Sequence, residues 1–293
     1  PGAAGSHPGG GGGEPMPGDN GWPWGSWQIL GLFGIAVLGV IGFILVERKV
    51  RDPILDLRLF RQREFWLGCA AAFTAGLPFL SAIIFLPVFM TKVAGASASE
   101  SGRVMIPLTL GIVIANITSG QMVSRLGRYK PVLLASLVIQ IIGFFILGFT
   151  LTSSTTQAEV SLKMILLGVG LGPAIPLYTL AIQSSVPMNQ IGVATSTAVF
   201  ARSVGATMGA GIASTVFATA LISVKITAFG PVRSAWFPGM TLQRAIPSAE
   251  AWTHAARVLF QVSGAIAVFA LLVTLVLPAV PLRRQPGAPI AME

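Results

Sequence analysis

Gly120, Ser124, Arg125, Gly127, Arg128 and Lys130 fall within eleven residues. Glycines let a chain reverse tightly and let helices approach closely. Cations held in such a turn can pair with carboxylates or donate to the last carbonyls of a helix, and so latch one conformation. The same residues also suit a basic turn that only sets topology. Arg202 is a second charged candidate, inside an apolar run. It can snorkel toward headgroups or pair across a gate. Gly168, Gly170, Gly172 and Pro173, with Pro176 after them, spell out a dinucleotide loop, but no strand precedes them. Gly168 and Gly172 share one helix face and suit close packing, whereas Pro173 and Pro176 remove amide donors and give a bend or gate.

Polar side chains also interrupt the apolar runs. Thr74 and Ser81 lie seven apart beside Pro78; Asn116 shares a face with Thr109 and Gly120; Gln140 and Tyr178 follow. Each is either a helix–helix hydrogen bond or a ligand contact. Ser203, Thr207, Gly211 and Thr215 recur at spacing four, beside Gly205, Gly209 and Ala213, and read as tight helix packing. One cysteine, Cys69, excludes an internal disulfide framework, and two histidines, His7 and His254, exclude a sizeable His-based centre. No catalytic residue, metal or bound cofactor is expected, and the chain reads as a non-enzyme.

The elements that carry these residues follow from composition. Of 293 residues only 19 are Lys or Arg and 10 are Asp or Glu, while 53% are hydrophobic. A soluble domain carries about 25% charged residues, so water is not the main solvent here. The charges lie between long apolar runs rather than on one face, which argues against nucleic acid. Seven runs reach the ~20 residues that span a bilayer as helix: 27–46, 65–90, 104–123, 131–151, 161–182, 197–221 and 258–277. They are continuously apolar rather than alternating, so helices and not barrel strands are expected. The fold class is an all-α polytopic membrane protein.

Eleven positive charges sit in three short segments on one side: the 47–64 connection, the turn at Arg125, Arg128 and Lys130, and the tail with Arg283 and Arg284. Seven are spread over the other side, so the first side reads as cytoplasmic, the amino end as outside and the carboxyl end as inside. Residues 1–26 hold ten Gly and five Pro and read as a flexible extracellular segment. They begin at Pro1, which suggests a chain that starts inside a larger protein. The longer connection, about 222–256, reads as extracellular.

The turn resembles the loop signature of the major facilitator superfamily, G-x-x-x-D-R-x-G-R-[KR], in its second-half copy. Gly120, Arg125, Gly127 and Arg128 match, and Ser124 replaces the acidic position. Val186 and Pro187, then Gly192, Ala194, Thr195 and Ser196, then Phe200, Arg202 and Gly205 are similar to a run in the 14-helix drug:proton antiporter branch, the EmrB/QacA type. Pro53, Ile54, Leu55, Leu57, Leu59, Phe60 and Arg61 resemble its cytoplasmic linker.

The resemblance implies that 27–46 is a linker helix, 65–280 a six-helix C-terminal half, and 281–293 a cytoplasmic tail. It implies export of small amphipathic compounds in exchange for protons, by alternating access in the plasma (inner) membrane, together with an N-terminal half. It also implies that spans two and five face the cavity. That raises Phe73, Thr74, Leu77, Ser81, Phe85, Pro176, Tyr178 and Thr179 as substrate contacts, beside Asn116. The helix of Gln140 becomes an outer one, and Gln140 is set aside. The conformational gate would comprise Gly120, Arg125, Gly127, Arg128, Lys130, Pro173 and Arg202. Two rival classes fit the span count. A half-transporter that dimerises, or a non-transporting regulatory relative, needs no second half. A seven-helix receptor is the other; a retinal protein would need a lysine deep in its last span, and 258–277 has none.

Overall fold

The computed structural model describes residues 27–47, 59–93, 102–103, 105–152, 155–236 and 249–278. The glycine-rich 1–26 segment, residues 53–58 of the linker motif, most of the basic 47–64 connection and the 281–293 tail lie outside the described residues. The chain forms two units, Pro1–Pro53 and Ile54–Glu293. The first contains α1 (Trp27–Glu47), whose apolar side chains, including Leu30, Phe33, Ile35 and Leu38, are exposed as a lipid surround requires.

The second unit contains α2 (Arg63–Gly76), α3 (Phe79–Lys92), α4 (Met105–Leu126), α5 (Lys130–Thr150), α6 (Gln157–Ser184), α7 (Ile191–Trp236) and α8 (Ala249–Val276). With α2 and α3 taken as one span, six helices among the described residues are long and apolar enough to cross a membrane. No strand occurs among the described residues.

Local signals set the ends. Gly127 takes the left-handed conformation, φ 66°, and its amide donates to Val123 O at 2.9 Å, which closes α4. Pro131 then sits in the first turn of α5, where a missing amide donor costs nothing. At the start of α6 the Thr156 hydroxyl accepts from the Glu159 amide at 3.4 Å, half of a capping box. This cap starts α6 four residues before the apolar run at 161.

α7 departs most from expectation. It begins at Ile191, after Pro187 and a 3-10 turn at Met188–Gln190, and runs to Trp236. The connection expected at about 222–256 is therefore mostly helical at both ends, and only 237–248 stays outside the described residues.

Glycine seams bring the helices together. α4 crosses α6 where a Cβ on Gly111 would fall 2.6 Å from Ile165 O and one on Gly172 2.6 Å from Ile112 O. Gly168 packs on Leu108 O in the same seam, so the expected Gly168–Gly172 face is confirmed as a packing face. Gly170, on the opposite side of α6, meets the Gln140 backbone of α5. The core divides into two apolar clusters. One holds Phe85, Leu86, Phe144, Leu171, Ala213 and Phe260; the other holds Phe65, Ala75, Leu137, Ala174, Tyr178 and Ala198. Along each helix the change of cluster falls at one level, and that level carries the site.

Candidate functional site

At this level the second span is discontinuous. α2 ends at Gly76, α3 begins at Phe79, and Leu77 and Pro78 form the turn between them. Pro78 offers no amide proton, so the carbonyl one turn earlier loses its helical donor. Hydroxyls cluster around the break. The Thr74 hydroxyl lies 3.0 Å from both Ala70 O and Ala71 O. Ser81 donates to Pro78 O at 2.6 Å, and Ser263 of α8 donates to Ser81 Oγ at 2.9 Å.

α7 clasps the break from the other side. Gly205 sits on Phe73 O, Gly209 sits on Leu77 O, and a Cβ on Gly76 would fall 2.5 Å from Arg202 O. The packing face of α7 is thus Gly205, Gly209 and Ala213. The Ser203, Thr207, Gly211 and Thr215 face, expected to pack, is exposed instead. Both faces offer small residues. The Gly face wins because only a residue without a Cβ lets α7 reach the carbonyls at the break.

Beside the break lies a hollow of about 10 Å³, lined among others by Gly76, Phe79, Gln140, Leu171, Tyr178 and Arg202. Gln140 is 1% exposed, and neither atom of its amide has a hydrogen-bond partner among the described residues. Leaving such a group buried and unpaired costs about 1–3 kcal/mol. Tyr178 is equally buried but satisfied. Its hydroxyl lies 2.6 Å from Thr274 Oγ1, and Thr274 in turn donates to Ala270 O, so Tyr178 is the donor. Arg202 lies eleven residues past the start of α7, roughly 16 Å or three turns. That is deeper than the one and a half turns that a helix starting at Thr197 would give. The described acids Glu47, Glu64, Glu159 and Glu250 all sit near helix ends.

The residues expected to contact substrate divide into two layers. Phe73, Leu77, Asn116 and Thr179 are partly exposed, and Pro176 is exposed. Asn116 Oδ1 has no partner among the described residues. Thr74, Ser81, Phe85 and Tyr178 are buried in helix packing. The Phe85 ring lies 4.8 Å from that of Phe217, tilted by 44°, and Phe217 lies 5.7 Å from Trp252, with Lys92 Nζ 5.8 Å over that indole. Pro173 is buried, and α6 runs unbroken through both of its prolines. The helix of the second span is interrupted at Pro78, which the sequence marks as a kink-former, whereas α6 is continuous through Pro173 and Pro176.

In the basic turn, Lys130 donates to Leu275 O at 3.0 Å and Leu277 O at 2.6 Å, while Tyr129 donates to Pro278 O at 3.2 Å. These contacts tie the turn to the C-terminus of α8, whose free carbonyls favour a cation. Of the two chemistries open to the turn, Lys130 performs helix capping. Gly120, Arg125, Gly127 and Arg128 are exposed. The family resemblance makes the helix of Gln140 an outer one and gives Gln140 no role. The available signal was an amide amid apolar residues, facing a glycine on the next helix.

The family model described as Major Facilitator Superfamily matches residues 15–210. The multidrug transporter protein MdtP of Bacillus subtilis is 39% identical over 188 residues, which cover 64% of this chain and 34% of that protein. The tetracycline resistance determinant of Streptomyces rimosus is 33% identical over 202 residues, 68% of this chain and 58% of that protein. Multidrug resistance protein 3 of Bacillus subtilis is 31% identical over 195 residues, 67% of this chain and 38% of that protein. In each case the matched part is less than two thirds of the relative's own length.

Proposed function

The chain belongs to the Major Facilitator Superfamily and is a multi-pass membrane protein, and from that premise we propose that it is the C-terminal part of a secondary transporter that exports amphipathic drug-like compounds in exchange for protons. The observation that carries this reading is the run of relatives named for multidrug transport or drug resistance that align with it. The helix break supports it, because transporters place binding sites at discontinuous helices, where irregular backbone lines a path.

The transporter is of the 14-helix drug:proton antiporter branch and lies in the plasma (inner) membrane, amino end outside and carboxyl end inside. Its other half is the N-terminal six-helix half. The exposed apolar side chains of α4, among them Leu110, Ile114 and Ile117, and of α7, among them Phe200 and Met208, leave surface for that half and for lipid. Phe73, Leu77, Asn116, Pro176 and Thr179 form the pocket wall, and Thr74, Ser81, Phe85 and Tyr178 form the layer that fixes it. Exposed Arg125 and Arg128 meet the other half at the cytoplasmic face, while Gly120, Gly127 and Lys130 shape and anchor their turn. Pro173 and Arg202 lie at the moving level. The proton carboxylate belongs to the other half, since the described acids of this chain sit near helix ends.

The test is dye export from an efflux-deficient bacterium. One strain carries this chain alone, and another carries it joined to the N-terminal half of MdtP. The joined protein is expected to export dye and to stop when an uncoupler collapses the proton gradient. Export by the chain alone would refute the need for a second half. Export that survives the uncoupler would refute proton coupling. A joined protein that reaches the membrane and exports nothing would refute efflux.

A further inference from the structure

We infer that the hollow at the helix break is a recognition pocket for a hydrogen-bond acceptor, a carbonyl or anionic oxygen on an otherwise apolar compound, read by Gln140 and Arg202. The claim that such a compound is cargo rests on the efflux reading; the pocket itself rests on the geometry.

Gln140 is the only glutamine wholly buried among the described residues, and both of its amide atoms lack partners. A leucine or methionine would fill the same space without that penalty, so packing alone does not account for an amide here. Its base is fixed, because a Cβ on Gly170 would fall 2.5 Å from Gln140 Cα, and the helices are in contact at that point. A side chain anchored this way presents its amide with little freedom left to lose.

The rest of the lining decides what the amide can meet. Tyr178 has already given its proton to Thr274. Gly76, Phe79, Leu171, Ala174 and Ile175 offer no polar side-chain atom. Arg202 offers donors only, and the described carboxylates are near helix ends. The hollow therefore presents the N–H groups of Gln140 and Arg202, the charge of Arg202 and one unpaired acceptor, Gln140 Oε1, against apolar walls. A cation placed there meets repulsion in a low-dielectric setting, whereas an acceptor oxygen meets two donors. A volume of about 10 Å³ admits one oxygen-sized group. The pocket takes the polar tip of a compound whose apolar body remains in the central path.

Benzophenone and diphenylmethane isolate this feature, because they share two phenyl rings and differ by a carbonyl in place of a methylene. Each is titrated into the whole chain in lipid nanodiscs. The wild-type chain is expected to bind benzophenone about tenfold tighter, the size of one buried hydrogen bond. Gln140→Leu is expected to bring that ratio to about twofold or less while diphenylmethane binding stays. Gln140→Met serves the same purpose should the branched side chain disturb folding. Arg202→Gln is expected to lower the ratio less and to strengthen binding of tetraphenylphosphonium. Equal binding of the two probes by the wild-type chain, including no binding of either, overturns the inference. So does a ratio unchanged in both variants, or an equal loss of both probes in Gln140→Leu, which would mark a packing role. Dye export by the joined transporter is read separately. Export without the carbonyl preference removes the pocket and keeps efflux; the preference without export does the reverse.

Discussion

α6 carries Pro173 and Pro176 and runs unbroken from Gln157 to Ser184, whereas the span around Pro78 parts into α2 and α3. α3 also tolerates an internal proline, Pro87. Proline content does not explain the difference. Each proline frees a carbonyl, and the outcome depends on what the neighbours do with it. α6 is gripped on two sides, by α4 through Gly168 and Gly172 and by α5 through Gly170, so its axis is fixed. At Pro78 the flanking Gly76 weakens the helix further, and Thr74, Ser81 and Ser263 supply hydroxyls at the turn. These hydroxyls add hydrogen bonds to carbonyls that flank the turn, Ala70 O, Ala71 O and Pro78 O. α6 is continuous and packed on two glycine faces, whereas α2 and α3 part at Leu77 and Pro78.

The largest effect is expected from the seam that holds the parted span. Gly209→Leu drives a side chain into the Leu77 carbonyl, where backbone and not a flexible side chain must give way. Overpacking of this kind costs about 3 kcal/mol or more, and the chain is expected to lose its cooperative melt in nanodiscs, followed by circular dichroism. Gly211→Leu, two residues on and with nothing within 4 Å of its would-be Cβ, is the control and should melt like wild type. If the two variants melt alike, α7 does not clasp the break.

A smaller effect separates stability from motion. Pro78→Ala restores an amide donor and joins α2 to α3; Pro173→Ala does the same inside an already continuous α6. Both variants should melt at or above the wild-type temperature. Only Pro78→Ala should slow dye export by the joined transporter, by about tenfold or about 1.4 kcal/mol in the rate-limiting step. Equal slowing by both would give the prolines of α6 the same part in transport as Pro78.

The spans were legible because lipid leaves few options for a long apolar run. So were the turn at Gly127, which only a residue free to adopt φ above zero suits, and the Gly168–Gly172 face, set by a spacing of four. The kink at Pro78 was legible too, since proline removes an amide donor, but its contact with Ser263, 182 residues from Ser81, was not. The packing face of α7 was not legible either, since small residues occupy both faces of that helix. Gln140 is visible in the sequence as an amide among apolar residues, but its burial against Gly170 depends on a contact 30 residues away.

The smallest effect tests the two hydroxyl pairs that fasten these spans to the same helix, α8. Tyr178 donates to Thr274 at 2.6 Å, and Ser263 donates to Ser81 at 2.9 Å. Interhelical hydrogen bonds in membranes average about 0.6 kcal/mol and reach about 1.7. The pairs should differ within that range. The Tyr178 hydroxyl is buried with Thr274 as its partner, so Tyr178→Phe and Thr274→Val should couple by about 1 kcal/mol in a double-mutant cycle on the melting of the chain. Ser263 has an alternative acceptor in Leu259 O at 2.9 Å, so cutting its bond to Ser81 lets the proton turn back to its own helix. Ser81→Ala with Ser263→Ala should therefore couple by only about 0.3 kcal/mol. A rigid span needs a fastening that has no substitute; a span that moves needs one that can be released and remade. Coupling of the reverse order, with the serine pair stronger, would mean that the break is locked and that α6 moves.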